Sequence, residues 1–216
     1  MIDAKDHISR RAIASPSQSD RPQPNSRTEP PKLTSPLPSP CRCPIILGMS
    51  HEPPFQLVDP EPAREKAQRH FEHVRNSLVT HLPPGADIRH IGATAVPGCL
   101  TKGDLDIVIR VDAGSFRQAD ALLAARFARN NGSIRTRGFS AFADPSTDPH
   151  LGIQLAVIGG PHDFFHLFVD ALLRSPALVT EYNALKQHYE GKNMNTYRAA
   201  KDAFVEQVLA DASRDR

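Results

Sequence analysis

The sequence predicts a single α/β domain with a mixed sheet and a helical C-terminal end, preceded by a tail that does not fold. Three observations carry this. A strand, a small-residue loop and a second strand follow one another from Asp87 to Val111 (DIRHIGATAVPGCLTKGDLDIVIRV). Further strand-like stretches are interleaved with apolar stripes at three- and four-residue steps. After Gly159-Gly160-Pro161 the pattern is helical to the end. Strands mixed with helices around one core define the α/β class, and 216 residues suffice for one such domain.

Residues 1–54 are crowded with Pro, Ser, Arg and Asn and hold almost no large apolar side chain before Ile45. Such a segment cannot bury enough surface to offset its ordering entropy, so it is expected to be disordered, with the domain running over 55–212. It also has the composition of a proline-rich ligand. Met49 stands just before the first globular pattern and is expected to be the natural start. Mass spectrometry of the native N-terminus checks this, and peptides from residues 1–48 would refute it.

From Pro62 to about His81, the residues Ala63, Ala67, Phe71, Val74 and Leu78 form one stripe of an amphipathic helix, ended by Pro83-Pro84-Gly85. Strands are expected at Ile88 to Ile91 and Leu105 to Val111. Asp112 to Ser115 offers a turn and a cap. Phe116, Ala119, Leu122, Leu123 and Phe127 then give a second helix, finishing near Asn130-Asn131-Gly132. Phe139 to Ala143 reads as a strand broken by Asp144-Pro145. Leu151 to Ile158 is a stronger one, with Gln154 and Ala156 on one face and Ile153, Leu155 and Val157 on the other. Three helices follow, at about Asp163 to Arg174, Pro176 to Tyr189 and Asn195 to Ala210. Pro176 suits a first turn, and Gly191 separates the last two.

Lys and Arg number 26 against 24 Asp and Glu. Residues 1–50 hold 7 basic and 4 acidic side chains, which leaves 19 against 20 for the remainder. A balanced domain offers no basic track, so a nucleic-acid partner is disfavoured. Three cysteines make neither a disulfide framework nor a four-ligand zinc site, and no apolar run reaches the length of a membrane span. A cytoplasmic location fits best.

The chemistry concentrates between Gly92 and Asp106. Residues two apart on a strand share a face roughly 6 to 7 Å apart, so Asp104 and Asp106 are expected to point the same way. Two such carboxylates repel unless a cation lies between them. For an all-oxygen site this is Mg²⁺, with Mn²⁺ as the other candidate. Gly92 has no side chain and Ala93 only a methyl, so the loop is expected to let a phosphate approach the backbone. The combination points to a metal-bound nucleotide. Lys102 lies between loop and carboxylates and can neutralise phosphate or pair with Asp104.

GATAVPG…TKGDLDIVIRV resembles the GSTAVPG…K…D pattern of the GrpB family, a branch of the nucleotidyltransferase-like superfamily marked by a Gly-Ser loop and an Asp-x-Asp pair. A second anchor is similar to the family's C-terminal helices: Asp170, then Tyr182 to Lys186, then Tyr197, Lys201 and Phe204. The resemblance runs from about Phe55 to Leu209. It implies a nucleotidyltransferase-like domain with Asp104 and Asp106 as metal ligands and catalytic residues. Gly92, Ala93, Thr94, Lys102, Lys186 and Lys201 are the implied nucleotide contacts, and the acceptor is unknown. Three departures stand out. Ala93 occupies the usual Ser position, leaving Thr94 as the nearby hydroxyl. Val169 replaces a basic residue before Asp170. Gln154 occupies the strand that usually brings a third carboxylate, and an amide cannot act as a general base. Transfer of a nucleotidyl group to an acceptor therefore competes with a catalytically inactive nucleotide-binding or regulatory module, which a structure with Asp144, Asp148 and Asp163 all pointing away from the pair would favour. A small-metabolite kinase finds no support, because the chain has no G-x-x-x-x-G-K-[ST] loop.

Other residues have plainer readings. Lys186 and Lys201 also fit exposed helix lysines laid over apolar stems. Tyr182 and Tyr197 fit a core better than base-stacking platforms, and Asp170 is expected to pair with Lys186 or Arg174. No histidine shows ligand spacing, and His90, directly before the loop, is the one placed to matter.

Overall fold

A computed structural model describes residues 53–214. Met49 and all but the last two residues of the Pro/Ser-rich segment lie outside them.

Helix α1 (Pro60–Val79) begins on Asp-Pro-Glu-Pro, which fits a first turn because proline there loses no needed N–H and Glu61 faces the positive helix end. It buries Ala67, Val74 and Leu78 and stops before Pro83. Strands β1 (Asp87–Ile91) and β2 (Leu105–Val111) flank the loop, with a short 3-10 turn at Ala93–Ala95. Helix α2 (Phe116–Ala124) is followed by β3 (Ala128–Arg129), β4 (Phe139–Asp144) and β5 (Leu151–Val157). Helices α3 (Phe165–Arg174), α4 (Pro176–Tyr189) and α5 (Met194–Arg214) close the chain. Ser175 caps α4 by accepting a hydrogen bond from the Leu178 N–H.

The sheet order is β1-β2-β5-β4-β3, with β2 and β5 parallel and the other pairs antiparallel. The expected mixed sheet and C-terminal helices are therefore present. The strand unseen in the sequence is β3, two residues long and too short to show alternation. It is fixed from α2, where the buried Asp120 accepts from Arg129 at 2.9 and 2.8 Å and from Ser140 at 2.5 Å. The Arg129 guanidinium holds this carboxyl down at about 2.

Alternation sorts the sheet's two faces. Ile107, Ile109, Ile153, Leu155 and Phe142 pack with Ala67, Val74, Leu78, Ala119 and Leu123 of α1 and α2. Ile91 and Val108 pack on the opposite face with Phe168, Leu172, Tyr182 and Val208 of α3, α4 and α5. Asp106, Gly152 and Gln154 share that second face, at the N-terminal end of the parallel pair.

Candidate functional site

The register Ile91–Asp106–Gly152 across β1, β2 and β5 sets Asp106 between two glycines. A Cβ on Gly92 would stand 2.8 Å from Asp106 Oδ2, and one on Gly152 would stand 2.8 Å from Oδ1. Gly92 also has φ +78°, a backbone that side chains rarely adopt. Each carboxylate oxygen thus occupies space that any other residue would fill. Gly152 was absent from the sequence candidates. Its signal was a glycine inside a strand, which marks a close approach.

Seven of the eight candidates line one cavity of about 60 Å³: Gly92, Ala93, Lys102, Asp104, Asp106, Lys186 and Lys201. Asp104 and Asp106 meet there as their spacing predicts, and Lys102 forms an ion pair with Asp104. Burial pushes the Asp106 carboxyl up from its ordinary value; Lys201 opposes this, Asp104 reinforces it, and Lys102 and a hydrogen bond from Gln154 lower it. Gln154 Oε1 is buried without a hydrogen-bond partner.

Thr94 is the candidate that lies outside the cavity. It is buried, and its hydroxyl donates to the Asp104 carbonyl at 2.9 Å. His90 contacts the same hydroxyl through Nε2 at 3.0 Å and Gln68 through Nδ1 at 3.1 Å. Burial lowers its imidazole to about 4. His90 therefore braces the loop as a neutral ring.

Lys186 corrects the exposed-lysine reading: it is 1% exposed. Its ammonium lies 2.9 Å from Cys99 Sγ, donates to the Leu100 carbonyl and sits 3.7 Å from the Tyr182 ring centroid. Burial lowers its pKa, against the influence of Cys99. One turn earlier, Asn183 accepts from the Leu100 N–H and donates to the Gly98 carbonyl, both at 2.8 Å. Helix α4 thus fastens the loop at three successive residues.

Tyr182 is core, stacked on Phe204 with centroids 5.3 Å apart. Tyr197 also packs inside, yet it borders the cavity, and Phe55 stacks on it at 3.8 Å. Backbone bonds from Phe55 N–H to the Lys192 carbonyl and from Gly191 N–H to the Phe55 carbonyl seat that segment. Phe55 gave no periodic signal because the segment carrying it is too short to repeat.

None of the three further carboxylates joins the pair. Asp144 accepts from Ser146, Asp148 pairs with Lys66, and Asp163 accepts from Arg110 at 2.6 and 2.8 Å. Among the described residues no group of three His, Cys, Asp or Glu is placed to hold a metal. Asp170 pairs with neither expected partner: it is partly exposed and approaches Arg89 at 3.9 Å, because its helix turns it toward β1. No described helix is long and apolar enough to cross a membrane.

Comparison with known proteins places this geometry in a family. The sequence profile described as GrpB protein matches residues 56–211. A UPF0157 protein of Vibrio cholerae is 34% identical over 135 residues, covering 62% of this chain and 71% of that protein. A UPF0157 protein of Deinococcus radiodurans is 32% identical, covering 74% of this chain and 83% of its own length. The crystal structure of the conserved protein GrpB from Enterococcus faecalis shares the fold. It has a TM-score of 0.59 at 20% identity, over 74% of this chain and 98% of that one. A Cid1 poly(U) polymerase mutant bound to MgATP is similar at TM-score 0.43 and 13% identity, over 60% of this chain and 42% of that one. With the profile spanning nearly all of the folded residues and the same α/β arrangement in a solved relative, this chain belongs to the GrpB family.

Proposed function

We propose that this chain binds a Mg²⁺ nucleoside triphosphate at the Gly92 loop and transfers its nucleotidyl group to an acceptor. The observation that carries the proposal is the Asp106 carboxylate, held between Gly92 and Gly152 beside Asp104 and facing Lys201. A buried carboxylate whose pKa is raised by desolvation gains most from a cation. Mg²⁺ needs only one or two carboxylates when triphosphate oxygens and waters complete its shell, so the two present fit a metal that arrives with its nucleotide. Gln154 meets Asp106 through a side-chain hydrogen bond and adds no charge to the pair.

Bound Mg²⁺ supplies the positive charge that stabilises a displaced pyrophosphate. The protein's own residues position and neutralise. Asp106 and Asp104 would hold the metal and so fix where that charge sits. Gly92 and Ala93 leave the approach free of bulk. Lys201 and Lys102 offset phosphate charge, and Lys186 holds the loop rather than touching phosphate. The cavity, about 60 Å³, is small beside ordinary small-molecule sites. The near balance of charge beyond residue 50 argues against a nucleic-acid end as acceptor.

The engagement of Asp144, Asp148 and Asp163 elsewhere favours a second reading, a nucleotide-binding module without transfer. Thermal-shift titration with ATP, GTP, CTP and UTP, with and without Mg²⁺, tests the site. At 100 times the dissociation constant, stabilisation is expected to reach about 2.7 kcal/mol. No metal-dependent shift for any nucleotide, or a shift that persists in Asp104→Asn/Asp106→Asn, refutes both readings. Binding without release of pyrophosphate selects the module.

A further inference from the structure

A second concavity, of about 420 Å³, opens beside the first and shares its Lys102 and Asp104 wall. It lies between the start of α1 and the 148–150 turn. We propose that this groove is the acceptor site, and that it takes a small neutral or zwitterionic alcohol. The inference rests on the nucleotidyl-transfer reading.

Size is the first argument. The groove falls in the range of small-molecule sites, whereas the carboxylate cavity does not. Position is the second: an acceptor seated here faces Asp104, one of the two carboxylates that fix the reacting phosphate. Charge is the third. Lys66 pairs with Asp148 and Lys102 pairs with Asp104, so the lining alternates cation and anion and compensates itself. A polyanion finds no continuous basic track there. A zwitterion can set its anionic end against Lys66 and its cationic end against Asp148. Pro62, Ala63 and Pro149 supply an apolar floor for a carbon skeleton.

In the transfer, the acceptor oxygen forms a bond to the α-phosphorus as the bond to the bridging oxygen of pyrophosphate breaks. Pyrophosphate leaves with that electron pair, and the hydroxyl proton passes to water through the open groove.

The test uses the full chain with Mg²⁺ and whichever nucleoside triphosphate stabilises it. Glycerol, serine, glycerol 3-phosphate and a short oligonucleotide are offered separately, and nucleotidyl adducts are read by mass spectrometry. Glycerol or serine is expected to yield at least tenfold more adduct than either anionic probe. Ala63→Trp, which fills the groove from a half-buried helix position, is expected to lower that yield at least tenfold while Mg-nucleotide stabilisation persists. His150→Trp serves as a second obstruction should ligand-free melting show Ala63→Trp unfolded. Undiminished adduct in the obstructed protein overturns the proposal, as does preference for an anionic probe. Absence of any adduct while nucleotide still binds overturns it too. Absence of nucleotide stabilisation in the unaltered protein is a separate result: it removes the transfer reading, and the acceptor site with it.

Discussion

Lys186 of α4 stands with its ammonium 2.9 Å from the sulfur of Cys99, buried to 1% exposure, and so fastens the loop that runs from Gly92 to β2. A buried ammonium costs desolvation, which its contacts with Leu100, Cys99 and Tyr182 offset. Lys186→Met keeps the volume and removes the charge, so its stability is expected to stay within ~1 kcal/mol of the parent. Lys186→Ala leaves a hole and is expected to cost ~2 to 4 kcal/mol. Both should weaken Mg-nucleotide binding by loosening the loop. Urea unfolding and thermal-shift titration measure the two effects; a large loss in the Met variant would show that the charge itself stabilises the fold.

Burial of the Asp106 carboxyl opposes stability. Its folded-state pKa is raised, so between 3.8 and that higher value the folded protein holds a proton that the unfolded chain has released. Stability therefore falls as pH rises through this window, and the ionised group is a burden at neutral pH. Asp106→Asn is expected to raise the ligand-free Tm at pH 7 by a few degrees, ~2 to 4 °C for each kcal/mol, and to abolish the Mg-nucleotide shift. A lower Tm at pH 7 than the parent would contradict it.

The glycine cage predicts a coupled pair. Gly152→Ala places a methyl 2.8 Å from Asp106 Oδ1. Overpacking of this kind costs ~1 to 3 kcal/mol. Adding Asp106→Ala removes the colliding carboxylate, so the double variant is expected to recover ~1 kcal/mol relative to the sum of the single changes. Additive losses would place the strain of Gly152→Ala elsewhere.

His90 gives a pH signature of opposite sign to Asp106. Its imidazole titrates at about 4 when folded against 6.5 when exposed. Between those values the unfolded chain binds the extra proton, so stability rises with pH through the window and is lost as pH falls. The full difference corresponds to about 3 kcal/mol as an upper bound, reduced because part of the ring meets solvent. His90→Gln is expected to flatten the slope of Tm between pH 4 and 6.5. Retention of the parent slope would assign it to His70, His162 and His166, whose imidazoles are also lowered by burial.

Period and punctuation by themselves determined most of the architecture: α1 from its apolar stripe, β2 and β5 from their length and faces, and three C-terminal helices separated by Pro176 and Gly191. They also determined that Asp104 and Asp106 share a cavity with Gly92, because side-chain direction along a strand is a local property. Tertiary structure alone decided what each charge meets. It buried Lys186 against Cys99, set Gly152 behind Asp106, laid Phe55 on Tyr197 and engaged Asp144, Asp148 and Asp163 elsewhere. Cys99 and Lys186 are 87 residues apart, and Asp106 and Gly152 meet only through strand pairing. Periodicity assigns a face to each residue; which partner waits on that face depends on how distant segments pack, and no local pattern encodes it.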